Sequence, residues 1–248
     1  MQKVVPDSPV SILMPIRNEI DTIPSVFVEW RDTVLNFLPQ GSELVFDDGF
    51  SSDGTYEFLQ SLTKEYPFVR VLRGDAPDGF AGAARRLYRD ARNEWIFFTD
   101  SDGQYPADEF WRITEHCRDV DFIHGAKCGR QDPAYRLIAS FFYNSIAKLL
   151  FGTKYADINS AFRLMRKEIV NTYVPQVRHV PLLLNSELLL RAEAAGIPII
   201  DVKISHRARQ FGNSRGIPPK TFIKECWKAL KGMFALRSEL RSQRSLRT

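Results

Sequence analysis

The stretch W-I-F-F-T-D-S-D-G-Q-Y-P, from Trp95 to Pro106, passes abruptly from an apolar run to a group of oxygen-bearing side chains. The apolar run, Trp95 to Thr99, is short and rich in aromatic and β-branched residues, which predicts a buried strand. Asp100 and Asp102 follow at its carboxyl end, and because side chains alternate along a strand we expect both carboxylates to point the same way. The glycine and proline that close the stretch predict a turn into a helix.

Two carboxylates this close together repel each other unless a cation lies between them. Mg²⁺ or Mn²⁺, with a phosphate as a further ligand, is the cation that hard oxygen ligands favour. An EF-hand calcium loop is disfavoured because Gly103 comes too early in the stretch for that motif. The remaining alternative is a solvated, aspartate-rich turn without a ligand.

Composition limits the classes of protein that the chain can represent. Its 248 residues are 44% hydrophobic, which suffices for one sizeable core. The net charge of +4 is only mildly basic and does not indicate a nucleic-acid partner. The three cysteines have no CxxC spacing, which disfavours a disulfide framework or zinc site and favours the cytoplasm. We expect no signal peptide and no membrane span, since no apolar run approaches about 18 residues.

Strand and helix patterns alternate over the first half of the chain. Strands are expected at Pro9 to Ile16, Glu43 to Phe46, Phe68 to Leu72, Trp95 to Thr99 and Asp121 to His124, with helices between them. This alternation predicts an α/β fold with an open, mostly parallel, Rossmann-like sheet flanked by helices.

Polar pairs follow three of these strands, at Asn18-Glu19, Asp47-Asp48 and Asp100-Asp102. Ligands of such sheets bind outside the carboxyl ends of the strands, so the three pairs together predict a nucleotide site with a metal. The dinucleotide fingerprint G-x-G-x-x-G and the P-loop motif are absent after the first strand. A dehydrogenase or a P-loop kinase is therefore disfavoured.

The second half contains two helices of unusual composition. Tyr135 to Phe151 is apolar almost all round, and Gly152 ends it. Pro219 to Leu240 is amphipathic. We expect Phe222, Cys226, Trp227, Leu230 and Phe234 on one side and Lys220, Lys224, Lys228 and Lys231 on the other. Both helices suit a membrane interface. Ordinary packing or a dimer contact, and hence a homo-oligomer, is the alternative for each.

Seven motifs occur in a characteristic order between Val10 and Arg215. They are I-L-M-P-I-R-N-E from Ile12, F-D-D-G-F-S-S-D-G-T from Phe46, G-F-A-G-A-A-R-R from Gly79, F-T-D-S-D-G-Q-Y-P from Phe98, the segment from Gly125 to Asn144, D-I-N-S-A-F-R from Asp157, and R-A-R-Q-F-G-N-S-R from Arg207. Together they resemble the family-2 glycosyltransferases of GT-A fold. Within that family the chain is similar to the polyprenyl-phosphate sugar transferases, such as dolichyl-phosphate mannose synthase.

The resemblance implies roles for residues on the donor side. The nucleoside pocket would be lined by Pro15, Asn18 and Glu19, with Asp47 and Asp48 holding the base and ribose. The segment Gly79 to Ala84, including Gly79 and Ala83, would pass close to the nucleotide. The metal on the donor diphosphate would be held by Asp100, Asp102 and Gln104. The chain departs from the family pattern at Phe50, where serine is usual, and at Gly79-Phe80.

The acceptor determines which further residues the reaction needs. A hydroxyl must be deprotonated by a base, for which Asp132, Asp157 and Glu187 are the candidates. A lipid phosphate is already anionic and needs cations instead. The resemblance implies that Arg130 and Arg136 grip the acceptor phosphate. It also implies that Arg209 and Arg215, on a loop with Ser214, close over the donor. Lys127 and Arg207 are further candidate cations, and solvated surface arginines are the alternative.

The expected function is inverting, metal-dependent transfer of a sugar from a UDP- or GDP-sugar to a polyprenyl phosphate. We expect residues 1–217 to form the GT-A domain, with a nucleotide-binding half (1–125) and an acceptor-binding half (126–217). Residues 218–248 would form an amphipathic helix and basic tail that attach the protein peripherally to the cytoplasmic membrane face. Two alternatives stay open: the same chemistry on a soluble glycan, metabolite or protein, and a non-catalytic nucleotide-binding membrane adaptor.

Overall fold

The computed structural model describes residues 3–129, 134–180, 183–209 and 219–245, with only the backbone described at 134, 219–223 and 244–245. Its strands are β1 (Val10–Ile16), β2 (Glu43–Asp48), β3 (Val69–Leu72), β4 (Trp95–Phe98), β5 (Phe122–Cys128), β6 (Arg163–Arg166) and β7 (Ile199–Ser205). Its helices are α1 (Ile23–Thr33), α2 (Thr55–Glu65), α3 (Gly79–Asp90), α4 (Phe110–Thr114), α5 (Ala134–Phe151), α6 (Lys167–Tyr173), α7 (Leu184–Ala194) and α8 (Pro219–Ser245). Short 3-10 turns lie at Leu35–Phe37, Ala107–Glu109 and Val174–Gln176.

The seven strands form one sheet in the order β3-β2-β1-β4-β6-β5-β7. Neighbouring strands are parallel except where β6 pairs antiparallel with both β4 and β5. The predicted mostly parallel sheet is therefore confirmed. Periodicity did not predict that β6 would separate β4 from β5, because the position of a late strand depends on contacts between distant parts of the chain.

The centre of the sheet is buried on both faces. All four residues of β4 are fully buried, as expected for a short aromatic run in a parallel sheet. The ring of Phe97 lies 4.9 Å from that of Phe110 and 4.7 Å from that of Phe162, both edge to face. Each fully buried ring of this kind stabilises the fold by about 1.5–3 kcal/mol relative to exposure. This core fixes the ends of β1, β2 and β4 relative to one another.

Two predicted boundaries were wrong in ways that matter for the site. The second strand does not end at Phe46: β2 continues through Asp47 and Asp48, which pair with Pro15 and Ile16 of β1. Conversely, β4 ends at Phe98, so Asp100 and Asp102 lie in the loop beyond the strand. The pairing with β1 outweighs the weak strand preference of aspartate because it satisfies the backbone groups of β2.

The side of α8 that packs inward was not predicted from the sequence. The face that packs on the domain contains Gly232, Met233 and Leu236, while Trp227 and Phe234 remain exposed together with the lysines. A side chain at Gly232 would place its Cβ 2.2 Å from the carbonyl oxygen of His179. The close approach at this glycine determines which side of α8 faces inward. Among the described helices, none combines the length and apolar character needed to cross a membrane.

Candidate active site

The loops after β1 and β2 are tied together by hydrogen bonds. The backbone N–H of Asn18 donates to Ser51 Oγ at 2.7 Å, and Asn18 Oδ1 accepts from the N–H of Ser52 at 2.7 Å. Asn18 and Phe50 both have positive φ, at 53° and 63°, which is strained for residues with a side chain. Such strain concentrates where a fold builds a ligand site. The side chain of Asn18 is therefore used to join the two loops.

Asp47 faces a guanidinium. Its fully buried carboxylate accepts hydrogen bonds from Arg86 Nε at 2.8 Å and Nη2 at 2.9 Å, and Arg86 also binds Asp78. A Cβ at Gly74 would lie 2.6 Å from Arg86 Nη1, so this glycine provides the room for the pair. Burial raises the pKa of Asp47, and the hydrogen bonds from Arg86 oppose that shift. A ligand that binds Asp47 must share it with Arg86.

Asp48 has separate partners, because successive side chains of a strand point to opposite faces. Its fully buried carboxylate accepts the N–H of Ser51 at 3.3 Å and lies 3.3 Å from Arg73 Nε. The guanidinium carbon of Arg73 is 4.7 Å from the ring centre of Phe50 and 4.3 Å from that of Tyr56. Asp48 thus holds the turn after β2, and Arg73, stacked on Phe50 and Tyr56, covers the side of the turn that Asp48 faces.

The loop after β4 carries the acidic pair. Ser101 Oγ donates to the carbonyl of Pro15 at 2.9 Å, which fastens the loop to β1. The N–H of Gln104 donates to Asp102 Oδ1 at 3.1 Å. Burial, followed by the charge of Asp102, raises the pKa of Asp100 to about 7, and burial also raises the pKa of Asp102. The pair is therefore brought together as expected, by a loop instead of by strand alternation.

Arg209 lies across this acidic pair. Its Nη2 binds both carboxylate oxygens of Glu19, one of them at 2.6 Å, and its Nη1 is 3.5 Å from Asp102 Oδ2. The segment is positioned by Arg207, whose N–H donates to the carbonyl of Gln104 at 2.8 Å. In return Gln104 Nε2 donates to the carbonyl of Arg207 at 3.2 Å. The guanidinium of Arg209 consequently joins the ends of β1 and β4.

A second cation approaches from β5. Lys127 Nζ lies 3.2 Å from Asp157 Oδ2 and 3.4 Å from the hydroxyl of Tyr105. His124 Nε2 binds the carbonyl of Asp157 at 2.8 Å, and burial lowers the pKa of His124 to about 3, so the ring is neutral. The positive charge of Lys127 also acts on Asp100, whose pKa it lowers in opposition to burial.

Arg163 is a buried residue that sequence reasoning did not identify as functional. It is fully buried in β6 and donates to the backbone carbonyls of Asn185, at 2.8 Å, of Ser160 and of Ile158. These bonds hold the turn that carries Asp157. The available signal was an arginine between the apolar pairs Ala161-Phe162 and Leu164-Met165. Arg73 and Arg86 had no comparable signal, because their partners are remote in sequence.

The remaining predicted residues fall into two groups. Arg130, Asp132, Ser214 and Arg215 lie outside the described residues. Of the others, Gly79 begins α3 with φ of 69°, Ala83 is buried on that helix, and Arg136 is half-buried in the first turn of α5. Glu187, a candidate base, is fully buried. It accepts backbone N–H groups of residues 178–180 and pairs with Arg191 at 2.8 Å, so its role is structural.

The donor set of the acidic loop fits a hard divalent cation that shares its coordination with a ligand. Among the described residues no three His, Cys, Asp or Glu side chains cluster as a complete protein metal site. Two carboxylates, Asp100 and Asp102, with the amide of Gln104 nearby, are what a Mg²⁺ or Mn²⁺ completed by phosphate oxygens requires. Burial raises the pKa of both carboxyls, and the charge of Asp102 adds to the shift at Asp100, so a cation between them would stabilise their ionised forms.

Sequence comparison identifies relatives of known activity. The family model described as glycosyl transferase family 2 matches residues 11–174, more than half of the chain. Undecaprenyl-phosphate mannosyltransferase of Micrococcus luteus is 25% identical over 82% of this chain and 85% of the relative. Undecaprenyl-phosphate 4-deoxy-4-formamido-L-arabinose transferase of Klebsiella pneumoniae is 25% identical over 85% of this chain, which spans only 63% of that relative.

Structure comparison gives the same fold. Glucosyl-3-phosphoglycerate synthase of Mycobacterium tuberculosis, in complex with Mn²⁺, UDP and glucosyl-3-phosphoglycerate, superposes with a TM-score of 0.69 at 16% identity. The match covers 94% of this chain and 81% of that one. Mannosyl-3-phosphoglycerate synthase of Rubrobacter xylanophilus gives a TM-score of 0.67 at 14% identity, over 94% and 75% of the two chains. The chain therefore has the GT-A fold, is a glycosyltransferase, and belongs to glycosyl transferase family 2.

Proposed function

We propose that the protein transfers a sugar, with inversion, from a nucleotide-diphospho-sugar to a polyprenyl phosphate, and that it requires Mg²⁺ or Mn²⁺. The observation that carries the proposal is the acidic loop at the end of β4, where Asp102 lies 3.5 Å from the guanidinium of Arg209 and its charge acts on the neighbouring Asp100. Because the chain is a glycosyltransferase, we set aside the alternative of a non-catalytic membrane adaptor. The names of the curated relatives, both of them undecaprenyl-phosphate sugar transferases, support the acceptor.

The donor, a UDP- or GDP-sugar, would lie over the ends of β1, β2 and β4. Pro15, Asn18 and Glu19 would border the nucleoside, and Asp47 would accept an N–H from the base while keeping its bond to Arg86. A bound divalent cation would offset the charge that develops on the leaving diphosphate. Asp100, Asp102 and Gln104 would hold that cation.

Arg209 would change partners during donor binding. In the structure its guanidinium binds Glu19 and Asp102, both of which border the proposed donor site. Guanidinium groups match phosphate oxygens as well as they match carboxylates, so an arriving diphosphate offers Arg209 an alternative anion. We assign the neutralisation of the leaving diphosphate to Arg209, together with Ser214 and Arg215 of the same sequence motif.

The acceptor side favours a group that is already anionic. Of the three carboxylates considered as bases, Glu187 is occupied by backbone N–H groups and Arg191, and Asp157 is paired with Lys127. The third, Asp132, lies outside the described residues. An acceptor phosphate needs no base, because its oxygen is ionised at neutral pH. It needs cations, and Lys127, Arg136 and Arg130 are the residues that we assign to this task. Attack from the face opposite the leaving diphosphate would invert the anomeric configuration.

The test is transfer by the purified protein from UDP- and GDP-sugars to a short polyprenyl phosphate, with Mn²⁺ or Mg²⁺. We expect product with inverted configuration, loss of activity in EDTA, and at least a hundredfold lower turnover in Asp102→Asn. Asp108→Asn is the matched control, since Asp108 is exposed a few residues further along. Transfer to a soluble hydroxyl acceptor with none to the lipid phosphate would contradict the proposed acceptor. Full activity in EDTA would contradict the metal requirement.

A further inference from the structure

Helix α5 presents a row of large apolar side chains to solvent. Ile138, Phe141, Phe142 and Leu149 are 57%, 68%, 59% and 82% exposed. Their spacing of three, four and eleven residues from Ile138 places them on one face of the helix. The opposite face, with Ala147 and Leu150, packs on the domain. Contiguous exposed patches of this kind mark interaction sites, because their apolar surface gains free energy only when something covers it.

Helix α8 extends this row. Trp227 and Phe234, seven residues apart and so on one side of the helix, are 60% and 55% exposed. Leu150 of α5 lines the same cavity as Phe234 of α8, so the two helices lie side by side there. We call Ile138, Phe141, Phe142, Leu149, Trp227 and Phe234 the docking face.

The cavity between α5 and α8 is lined by both cationic and apolar side chains. Its volume is about 400 Å³, and it is lined by Leu150, Phe234, Arg237, Ser238, Arg241 and Ser242. Two guanidinium groups and two hydroxyls are donors suited to phosphate oxygens, and the two apolar side chains border the same space. An anionic headgroup attached to an acyl chain combines both requirements.

Positive charge predominates around the docking face. Helix α5 contains no acidic residue. On α8 the two glutamates are engaged, Glu225 by Lys228 at 2.7 Å and Glu239 by Arg191 at 3.0 Å. The exposed lysines nearby are Lys148, Lys224, Lys228 and Lys231. A second copy of the chain would bring the same positive charge to the contact, whereas an anionic bilayer brings the opposite charge and an apolar interior.

We propose that the docking face binds the surface of an anionic bilayer and that the cavity at Arg237 and Arg241 holds the phosphate of a phospholipid headgroup. The aromatic and aliphatic side chains enter the boundary between headgroups and acyl chains, while the lysines stay at headgroup level. The proposal deepens the proposed function, since a polyprenyl phosphate is met only at a bilayer. Docking itself needs neither donor nor acceptor.

The test is flotation of the full chain with vesicles that contain no polyprenyl phosphate. We compare phosphatidylcholine alone with phosphatidylcholine mixed with phosphatidylglycerol. The wild type should float with the mixed vesicles and bind much more weakly to the neutral ones. Phe141→Ser with Phe142→Ser should weaken binding to the mixed vesicles about a hundredfold, from roughly tenfold for each ring. Arg237→Gln with Arg241→Gln should weaken it about 25-fold, from about fivefold for each charge.

Two controls match these variants. Val28→Ser removes an apolar side chain that is 44% exposed on α1, away from the docking face. Arg89→Gln removes an exposed charge from α3. Neither should change vesicle binding. Transfer to a water-soluble, short-chain polyprenyl phosphate in detergent-free buffer should be the same in the double variants as in the wild type, so a failure of docking and a failure of the proposed function give different results.

Three outcomes would overturn the proposal. The first is a wild type that does not float, or that floats equally well when the two rings are removed. The second is a dimer in sedimentation velocity that Phe141→Ser with Phe142→Ser dissociates, which would make the face a contact between copies. The third concerns the cavity: binding of inorganic phosphate without vesicles, lost in Arg237→Gln with Arg241→Gln, would make it a site for soluble anions.

Discussion

The site at the carboxyl ends of β1, β2 and β4, called here the strand-end site, and the docking face differ in whether their side chains already have partners. At the strand ends the carboxylates already have guanidinium partners, as Asp47 has Arg86 at 2.8 Å and Asp48 has Arg73 at 3.3 Å. On the docking face Leu149 is 82% exposed. A ligand of the first region must exchange with a resident cation, so its binding is competitive and electrostatic. A partner of the second region has nothing to displace and gains free energy by covering apolar surface.

The two regions are also supported differently. The site is built on β1, β2 and β4, which the core holds on both faces. The docking face depends on α8, whose inner side is fastened partly by charge. Glu239 of α8 lies 3.0 Å from both Arg191 and Arg178 and also binds His179, and Arg191 in turn pairs with buried Glu187. Weakening this cluster should therefore affect the docking face before it affects the site.

The largest expected change in the free energy of unfolding comes from Glu187→Gln, which weakens the charge cluster that fastens α8. Both oxygens of Glu187 accept backbone N–H groups, and Arg191 is 1% exposed, so the substitution leaves a buried guanidinium with half of its charge partners. Breaking a buried pair costs about 3–5 kcal/mol of the free energy of unfolding. Urea denaturation measures the loss. Glu168→Gln, at an exposed position of α6, is the control and should change little. A loss below 1 kcal/mol would mean that α8 does not rely on this cluster.

An intermediate effect is expected from acidification. Burial alone would raise the pKa of Glu239, but hydrogen bonds from Arg191, His179 and Arg178 lower it from 4.5 to about 2. Because the folded pKa is the lower one, this carboxylate contributes stability above its unfolded pKa. That contribution is lost as the pH falls from about 4.5 towards 2. The full shift would correspond to roughly 3 kcal/mol at about 1.4 kcal/mol for each pH unit, and screening by solvent reduces the expected loss to about 1–2 kcal/mol.

The measurement is the difference in free energy of unfolding between the wild type and Glu239→Gln as a function of pH. We expect the difference to be largest above pH 5 and to disappear near pH 2. Glu225→Gln, in the pair with Lys228 on the same helix, is the matched control. A difference between wild type and Glu239→Gln that stays constant down to pH 2 would contradict the assignment of this stability to the charge of Glu239.

The fold could be predicted because its information is local. Short apolar runs and helix patterns alternate along the first half, and that alternation leaves few topologies. The antiparallel β6 and the extension of β2 through Asp48 could not be predicted in this way, since both depend on which strand lies beside which. The side of α8 that packs inward could not be predicted for the same reason: the carbonyl of His179, which requires Gly232, is far from it in sequence.

The chemistry of the site was predictable by residue type but its pairing was not. Asp100 and Asp102 predict a cation site because two carboxylates this close in sequence stay close together in any fold. The ion pairs Asp47–Arg86 and Glu19–Arg209 join residues 39 and 190 positions apart, and only the folded chain brings them together. Sequence reasoning therefore named the acidic residues and assigned Arg209 to a phosphate, and both assignments stay predictions. It did not anticipate that carboxylates pair with the same arginine in the structure.

Arg209→Gln gives the smallest expected effect and tests this prior occupation directly. The guanidinium lies 3.5 Å from Asp102, and both side chains are less than 20% exposed. Its removal should therefore tighten Mn²⁺ binding without donor about fivefold, because a pair of this kind is worth about 1 kcal/mol. The KM for the donor should rise at the same time, because the diphosphate loses a cation.

Electron paramagnetic resonance of free Mn²⁺ measures the change in Mn²⁺ binding. Arg207→Gln is the control, since the side chain of Arg207 pairs with Glu29 at 3.1 Å. If Arg209→Gln weakened Mn²⁺ binding instead, the guanidinium would be a support of the metal loop and not a competitor. The acidic pair would then resemble the docking face, because neither would have a resident partner that its ligand must displace.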